Sequence, residues 1–391
     1  MPVINRIADF HHDMTAWRRH IHENPELGYQ ETETARFVTD KLRDFGVDAV
    51  HEQIGQTGVV AVIHGKLPGS KAIGLRCDMD ALPIHEKSGV AYSSKNPGKM
   101  HACGHDGHTA MLLGAARYLA ETRNFAGTAY LIFQPAEEGY GGARAMMEDG
   151  LFERFPMDEV YGLHNWPNLP LGQFAMGTGP MMAAADQFEI TLTGVGCHAA
   201  MPQIGRDPIT AGAALVSAMQ NIVARETSPL DRAVISITQF HAGDAFNVVP
   251  EIASLTGTVR TYDPAIQDRI EQRMTAVVEG IAATFNIDGQ LNYRRGYPAT
   301  INHAEPARLG AEVAANVVGN DNVDLDPRPA MGAEDFSFML QAKPGAYIFM
   351  GIGGAEEGKV LHSPYYDFND EALPIGVSYY AGLVEALLPA A

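Results

Sequence analysis

The sequence has few cysteines, few tryptophans and no surplus of positive charge. Its 391 residues include three Cys, two Trp and 28 Lys plus Arg against 47 Asp plus Glu, so the formal net charge is -19. Three cysteines cannot form a disulfide framework, which indicates a reducing compartment. The acidic balance disfavours nucleic acid as a partner, because nucleic-acid binding needs a basic surface.

Long apolar runs are also missing. No window reaches the roughly 18 consecutive apolar residues of a membrane span. The segment 1–27 shows no apolar core followed by a small-residue cleavage site. We therefore expect a cytoplasmic protein with neither a membrane nor a nucleic acid as partner. Hydrophobic residues make up 46% of the chain, and its length favours about two domains.

The first part of the chain alternates predicted strands with predicted helices, which favours a doubly wound α/β sheet. A buried helix is predicted at 107–122, where apolar residues recur with helical spacing. The predicted strands that matter for function are 72–77, 128–133 and 159–163.

A different order of elements begins near residue 186. It consists of strands at 187–193, 234–240, 252–261 and 289–295, with helices at 207–225 and 264–285. The order β-α-β-β-α-β predicts an inserted ferredoxin-like α+β domain. We therefore predict a discontinuous first domain of residues 1–185 and 296–391, and an inserted domain of residues 186–295.

Metal-ligand chemistry is concentrated in the motif MHACGHDGH, which places Cys103 and His105 two positions apart. Its loop precedes the helix predicted at 107–122, and a helix start favours an ionised thiolate. His164 and His362 add isolated imidazoles. Thiolate and imidazole are ligands of borderline divalent cations. The alternatives are a small buried cysteine and ordinary core or surface histidines.

Two adjacent carboxylates, Glu137 and Glu138, follow the strand predicted at 128–133 in the motif QPAEEG. Neighbouring side chains point in different directions, so we assign Glu138 as a ligand and Glu137 as the base that metal-assisted hydrolysis needs. Asp80 and His164 also follow predicted strands. The carboxyl ends of strands in an open α/β sheet lie at one edge, so these groups are expected to converge. The alternative for the glutamate pair is two solvated charges.

Three candidates lie in the predicted insertion. They are His198 in the loop GVGCHAAMP, Asn247 in NVVP and Arg260 in GTVRTYD. Each has an ordinary structural alternative, as a turn histidine, a turn asparagine or a surface arginine.

At these positions the chain resembles the metal-dependent aminoacylase, carboxypeptidase and deacetylase superfamily. It is most similar to the amidohydrolase branch, which contains hippurate hydrolases, auxin-conjugate hydrolases and N-acetyl-diaminopimelate deacetylases. The matching motifs span nearly the whole chain and are RRHIHENPELGYQE, LRCDMDALPIHE, MHACGHDGHTAML, FQPAEEGYGGARAM, GLHNWP, GVGCHAAMP, NVVP and GAEDFSFM. The wider superfamily carries an HxD motif where this chain has Asp78-Met79-Asp80.

The resemblance implies two divalent cations per subunit, with zinc, manganese, cobalt and nickel as candidates. It implies Glu137 as general base, Asp80 as a positioning residue and His198 on a lid and dimerisation domain, where it reaches the partner subunit's active site. A homodimer or homotetramer is the expected assembly. The ligands that it implies are Cys103, His105, Glu138, His164 and His362.

The predicted activity is hydrolysis of the amide bond of small-molecule N-acyl amino acids. Asn247 and Arg260 are candidates for binding the substrate carboxylate, because an arginine fork suits that group. A dipeptidase or aminopeptidase that uses the same two-metal site is the nearest alternative. A metal-dependent binding protein and a cysteine hydrolase with Cys103 as nucleophile are alternatives from other classes.

Overall fold

The computed structural model describes residues 4–390. Its strands, numbered in chain order, are β1 Ala49–Ile54, β2 Gly58–His64, β3 Leu67–Asp78, β4 Ala126–Gln134, β5 Glu159–Trp166, β6 Phe174–Ala175, β7 Gly179–Met182, β8 Ala184–Thr193, β9 Cys197–His198, β10 Ala233–Ala242, β11 Val248–Val249, β12 Ile252–Thr261, β13 Asp288–Tyr297, β14 Thr300–Asn302, β15 Val323–Asp324 and β16 Gly345–Gly351. Its α-helices are α1 Asn5–Ala8, α2 His11–Glu23, α3 Thr32–Asp44, α4 His105–Thr122, α5 Glu137–Tyr140, α6 Gly142–Glu148, α7 Leu151–Arg154, α8 Pro208–Asn221, α9 Pro264–Phe285, α10 Ala304–Val318, α11 Phe336–Ala342 and α12 Leu373–Leu387.

The chain forms two compact units. The first comprises the chain up to Met181, Ile301–Arg328 and the chain from Asp335 onward. The second comprises Met182–Thr300 and Pro329–Glu334. No helix between residues 4 and 390 combines the length and apolar character that a bilayer crossing requires.

The first unit contains an eight-stranded sheet with the order β1-β2-β4-β3-β5-β16-β6-β15. The central strands β4, β3, β5 and β16 run parallel, β2 pairs antiparallel with β4, and β1 pairs antiparallel with β2. The predicted α/β class is confirmed, and the sheet is mixed with a parallel centre. Because the parallel strands share a direction, β3, β4 and β5 deliver their carboxyl ends to one edge.

Helices cover both faces of this sheet. Ile73 and Leu75 of β3 lie in the same core cluster as the apolar residues of α4. Arg76 alternates with them and reaches the other face, where its Nη2 lies 3.1 Å from Oδ1 of Asp335 at the start of α11. α4 is buried along nearly its whole length, as its sequence predicted. It begins at His105, two residues before the predicted start.

The second unit contains a four-stranded antiparallel sheet with the order β10-β12-β8-β13. α8 connects β8 to β10 and α9 connects β12 to β13, so the predicted ferredoxin-like fold is confirmed. The bounds predicted for β12 and α9 are those observed. The predicted helix 207–225 is partly wrong, because α8 ends at Asn221 and residues 222–226 form a π-helical turn.

Candidate metal centre

Five side chains form what we call the ligand cluster, at the carboxyl edge of the parallel strands in the first unit. One follows β4, one lies within β5, two lie at or just before the start of α4, and one lies between β16 and α12. β5 extends to Trp166, so His164 is inside the strand and not after it as predicted. The cluster is Cys103, His105, Glu138, His164 and His362.

The ligand atoms of the cluster lie within 4.8 Å of one another in three overlapping groups. Sγ of Cys103 is 3.4 Å from Nε2 of His164, and Nε2 of His362 is 3.2 Å from Oε1 of Glu138. The structure therefore brings together all five predicted ligands and the predicted base. The groups are Cys103 with His105 and His164, Cys103 with Glu138 and His362, and His105 with Glu137 and Glu138.

Within residues 4–390, two buried polar atoms of the cluster form no hydrogen bond, although one of them, Oε1 of Glu138, lies within ion-pair distance of His362. They are Nε2 of His105 and Oε1 of Glu138, which lie 4.0 Å apart. An unsatisfied buried polar atom costs roughly 1–3 kcal/mol, so such atoms are rare without a function. A divalent cation would give both atoms a partner. The donor set and its unsatisfied atoms therefore fit a metal site.

Hydrogen bonds to the Nδ1 atoms select the tautomer of two histidines. Nδ1 of His105 lies 2.9 Å from the backbone oxygen of Asp80 and 3.2 Å from its Oδ1, so it carries the proton. Nδ1 of His164 donates to the backbone oxygen of Asn165 at 2.6 Å. In both residues Nε2 faces the cluster and is the nitrogen that a metal would bind once any proton on it is displaced.

Burial changes the protonation of the metal-free cluster. Burial, reinforced by Glu138 and Glu137, raises the pKa of the Cys103 thiol well above its ordinary value. The expectation that the helix start keeps this sulfur ionised is therefore wrong for the protein without a cation. Burial also opposes protonation of His105, but Asp78 and Asp80 outweigh it and raise the pKa to about 10. Binding of a cation must displace these protons.

Glu137 lies in a strained turn directly after β4. Ala136 has φ 53° and ψ 44°, a left-handed conformation that is uncommon for a residue with a Cβ. Glu138 has φ -71° and ψ 68°, so the short helix is kinked. The kink leaves a carboxylate oxygen of Glu137 and one of Glu138 within 4.8 Å of each other and of a ring nitrogen of His105. Glu137 is 7% exposed, and its Oε1 accepts a hydrogen bond from the backbone N–H of Asp335 at 3.4 Å.

Asp80 contacts two members of the cluster at once. Its Oδ1 lies 3.2 Å from Nδ1 of His105, and its Oδ2 accepts from the backbone N–H of Glu138 at 3.0 Å. It is 1% exposed. This placement suits a residue that orients ligands, which is the part predicted for it.

Sequence reasoning missed a buried network beneath the cluster. Asp78 accepts from Nη1 of Arg76 at 2.7 Å and from Nδ1 of His108 at 2.6 Å. Nε2 of His108 accepts from the backbone N–H of Asn165 at 3.0 Å, so both of its ring nitrogens are engaged. The side-chain amide of Asn165 donates to the backbone oxygen of Cys103 at 2.6 Å. His108 is thus a support for the Cys103 loop.

Gly104 shows how closely this loop is packed. Its φ is +94°, and a Cβ there would lie 2.3 Å from Nδ2 of Asn165 and 2.4 Å from the hydroxyl oxygen of Tyr366. Only glycine fits between Cys103 and His105. The glycine in the motif was therefore a sequence signal that this loop is closely packed. The residues that pack against it, Asn165 and Tyr366, lie far away in the sequence.

The second unit holds the remaining candidates. β9 and β11 pair with Val248 opposite His198, and we call these two strands the His198 ladder. His198 is exposed, and its Nδ1 accepts from the backbone N–H of Ala200 at 3.1 Å. Its Nε2 therefore carries the proton. Asn247 is exposed, and its backbone oxygen accepts from the N–H of Ala199 at 3.0 Å.

Arg260 lies on β12, which is not one of the two strands of the His198 ladder. It is half-buried, and one of its guanidinium nitrogens donates to Thr258 and to the backbone oxygen of Val259. Among residues 4–390 it forms no salt bridge. Burial lowers the pKa of Arg260, and the guanidinium group remains a strong hydrogen-bond donor.

Residues 74–386 match peptidase family M20/M25/M40, which is most of the chain. The chain belongs to this family. It is 44% identical over 383 residues to the hippurate hydrolase of Campylobacter jejuni, with 98% of each chain covered. It is 37% identical over 380 residues to the N-acetylcysteine deacetylase of Bacillus subtilis, with 97% of this chain and 98% of that protein covered.

A solved structure supports both the family and the fold. The YXEP protein of Bacillus subtilis, described as a dinuclear metal-binding peptidase of family M20, matches with a TM-score of 0.86 and 34% identity. The match covers 98% of this chain and 100% of that chain. These matches confirm the family resemblance that was inferred from the motifs.

Proposed function

We propose that this protein is a metal-dependent amidohydrolase, which cleaves N-acyl amino acids to a carboxylic acid and a free amino acid. The observation that carries the proposal is the ligand cluster with Glu137 beside it, in which two donor groups share Cys103. Relatives named for hippurate hydrolysis and N-acetylcysteine deacetylation support the substrate class.

The cofactor is a pair of divalent cations. Cys103, His105 and His164 would hold one, and Cys103, Glu138 and His362 the other, because each trio has its ligand atoms within 4.8 Å. Thiolate ligation favours zinc, while the nitrogen and oxygen ligands also admit manganese, cobalt and nickel. When bound, the cations supply Lewis acidity, which lowers the pKa of water and polarises a carbonyl oxygen.

The side chains divide the remaining chemistry. Glu137 accepts a proton from the water that attacks the acyl carbonyl carbon, and later gives this proton to the departing amine nitrogen. His198 donates its Nε2–H to the carbonyl oxygen as negative charge develops there. Arg260 and Asn247 hold the carboxylate of the amino-acid moiety, since a guanidinium fork matches that group.

The assembly and location follow the sequence-based expectations. We assign residues 186–295 to a lid and dimerisation domain and residues 1–185 with 296–391 to the metal-binding catalytic domain. His198 then acts in the active site of the partner subunit of a homodimer or homotetramer. We place the protein in the cytoplasm, and its three free cysteines support a reducing compartment.

A substrate screen tests this function. N-acetyl, N-benzoyl and indole-acetyl amino acids are compared with dipeptides, before and after treatment with a chelator. We expect hydrolysis of one or more acyl amino acids, loss of activity on chelation and recovery with a divalent cation. Faster cleavage of dipeptides would favour a peptidase, activity that survives chelation would favour Cys103 as nucleophile, and no turnover at all would favour a binding protein.

A further inference from the structure

The motif PELGYQE, in the segment between α2 and α3, has no part in the function described so far. Three of its residues contact the turn that carries Glu137. A Cβ on Gly28 would lie 2.7 Å from Cδ2 of Tyr140 and 3.2 Å from Cα of Ala136, so the backbone of the segment packs directly on the turn. Tyr29 donates its hydroxyl to the backbone oxygen of Tyr140 at 3.2 Å.

Glu31 makes the most specific of these contacts. It is completely buried, and its Oε1 accepts from the backbone N–H of Ala136 at 2.8 Å. Its Oε2 accepts from the hydroxyl of Thr57 at 2.7 Å, which fixes the rotamer of the carboxyl group. A buried carboxyl group is costly, so a site retains one only where its hydrogen bonds are satisfied.

Glu31 and Asp80 hold the same turn from two sides. Glu31 binds the N–H of Ala136, and Asp80 binds the N–H of Glu138, so the backbone is fixed on either side of Glu137. Ala136 is left-handed, and Glu138 and Gly139 have non-helical backbone angles, a conformation that local sequence preference does not hold by itself. The two acceptors supply the missing constraint.

We propose that Glu31 is a positioning residue for the general base Glu137, because it fixes the amide of Ala136 in the turn that carries it. The inference rests on the proposed function only where it names Glu137 as the base. Within residues 4–390, the carboxyl group of Glu31 bonds to Thr57 and Ala136 and to no ligand atom of the cluster. Its effect is on where the carboxylate of Glu137 lies.

Three substitutions at Glu31 separate position from charge. Glu31→Gln keeps an acceptor oxygen at the same place and loses the carboxylate, whereas Glu31→Asp keeps the carboxylate and withdraws it by one methylene. Glu31→Ala removes the acceptor. We expect kcat to fall about 10- to 100-fold for Ala, less for Asp and less than about threefold for Gln, since misplacing a reacting group by 1 Å costs on the order of 10²-fold. KM should change little throughout.

Burial and the neighbouring Asp80 raise the pKa of Glu31 to about 7, which agrees with Gln as a faithful substitute. The matched control is Glu26 in the same motif. Its carboxylate accepts from the backbone N–H groups of Glu33 and Thr34 at 3.2 and 2.8 Å, at the start of α3, away from the turn. Glu26→Ala should lower stability yet leave kcat within about threefold of wild type, because it leaves Glu137 in place.

A second measurement is independent of turnover. Amide hydrogen exchange at Ala136 and Glu138 is followed in the metal-loaded enzyme and in each variant. We expect faster exchange at Ala136 in Glu31→Ala and Glu31→Asp, and wild-type protection in Glu31→Gln. If Glu31→Ala does not fold, the Asp and Gln variants carry the test.

The outcomes separate this inference from the proposed function. A wild-type enzyme without any hydrolytic activity overturns the function, while the exchange data still decide whether Glu31 holds the turn. Active Asp with inactive Gln would show that charge is what matters, and would overturn the positioning role. Equal loss of kcat in Glu26→Ala and Glu31→Ala, or unchanged exchange at Ala136, would also overturn it.

Discussion

The ligand cluster and the His198 ladder present histidines in opposite ways. In the cluster, His105 and His164 are 1% and 5% exposed, and each has its Nδ1 fixed by a hydrogen bond, so that Nε2 is the nitrogen available to a cation. In the ladder, His198 is exposed and its Nδ1 accepts a hydrogen bond, so that Nε2 carries the proton. One arrangement suits a cation and the other suits a developing anion.

The difference shows that the hydrogen-bond partner of Nδ1 decides whether Nε2 of a histidine can bind a cation or donates a hydrogen bond. An oxygen that accepts from Nδ1 leaves Nε2 able to act as an acceptor or to bind a cation, whereas a backbone N–H that donates to Nδ1 leaves the proton on Nε2. The cluster is also held by two-ended contacts such as those of Asp80, whereas the ladder is a single pair of two-residue strands. We therefore expect substitutions in the cluster to change metal binding, and those in the ladder to change turnover alone.

The largest effect is expected at Glu137, which lies beside the ligand cluster. We expect its substitution to abolish turnover while all five proposed metal ligands remain. Glu137→Gln removes the base and keeps the shape of the side chain. General acid–base catalysis contributes about 10²–10⁴-fold, so kcat should fall by at least that range. Steady-state kinetics on the best substrate of the screen measure it. Turnover within tenfold of wild type would remove Glu137 from the reaction.

The next effect is expected at His198 and concerns the ladder. His198→Ala should stay folded and metal-loaded, yet lose about 10²–10³-fold in kcat, because an oxyanion donor acts mainly in the transition state. Mixing these subunits with Glu137→Gln subunits gives heterodimers in which one site has an intact base and an intact partner histidine. About half of the wild-type activity per heterodimer should return. Confirmed subunit exchange with no recovery would restrict His198 to its own subunit.

A smaller effect is expected from Asp80→Asn, which tests the two-ended contacts of the cluster. The amide cannot accept from both Nδ1 of His105 and the N–H of Glu138. Loss of a partner that orients a metal ligand costs about 10- to 100-fold in metal affinity. Calorimetric titration of the metal-free variant with Mn²⁺ measures this affinity. Wild-type affinity would show that Asp80 is dispensable for the cluster.

The smallest effect, counted per pH unit and per displaced proton, is expected when the pH is changed. The pKa of His105 is raised to about 10, and that of Cys103 lies above its ordinary value, so both hold protons in the metal-free protein near neutral pH. Cation affinity should therefore rise with pH between 6 and 9, by about tenfold per pH unit for each proton displaced. Titrations in buffers of different ionisation enthalpy count the protons released. Affinity that is independent of pH would contradict these protonation states.

The sequence was sufficient for the fold class, and the five side chains predicted as ligands lie together in the structure. The ranges predicted for β12 and α9, residues 252–261 and 264–285, have the observed ends. α12 was not predicted, since it is buried on nearly all sides and shows no polar face for a periodic pattern to reveal. The extension of β5 past His164 was missed because two polar residues near its end resemble a loop.

The residues that orient the ligand cluster could not be predicted from the sequence. Arg76, Asp78 and His108 meet through the packing of α4 on β3, and Glu31 reaches Ala136 across 105 positions of the chain. Each of these is an ordinary polar residue in its local sequence, and its function depends on contacts that only the tertiary fold creates. Ligand chemistry is visible in residue types, whereas orientation of the ligands is not.

The most direct test of the two-cation centre with a separate base is the metal content of Glu137→Gln and Glu138→Gln, prepared in parallel and measured with their turnover. We expect two cations per chain and almost no hydrolysis for Glu137→Gln, because the ligand cluster is intact. We expect loss of about one cation for Glu138→Gln, which removes a ligand. Equal loss of metal from both variants, or near-normal hydrolysis by Glu137→Gln, would contradict the division of this carboxylate pair.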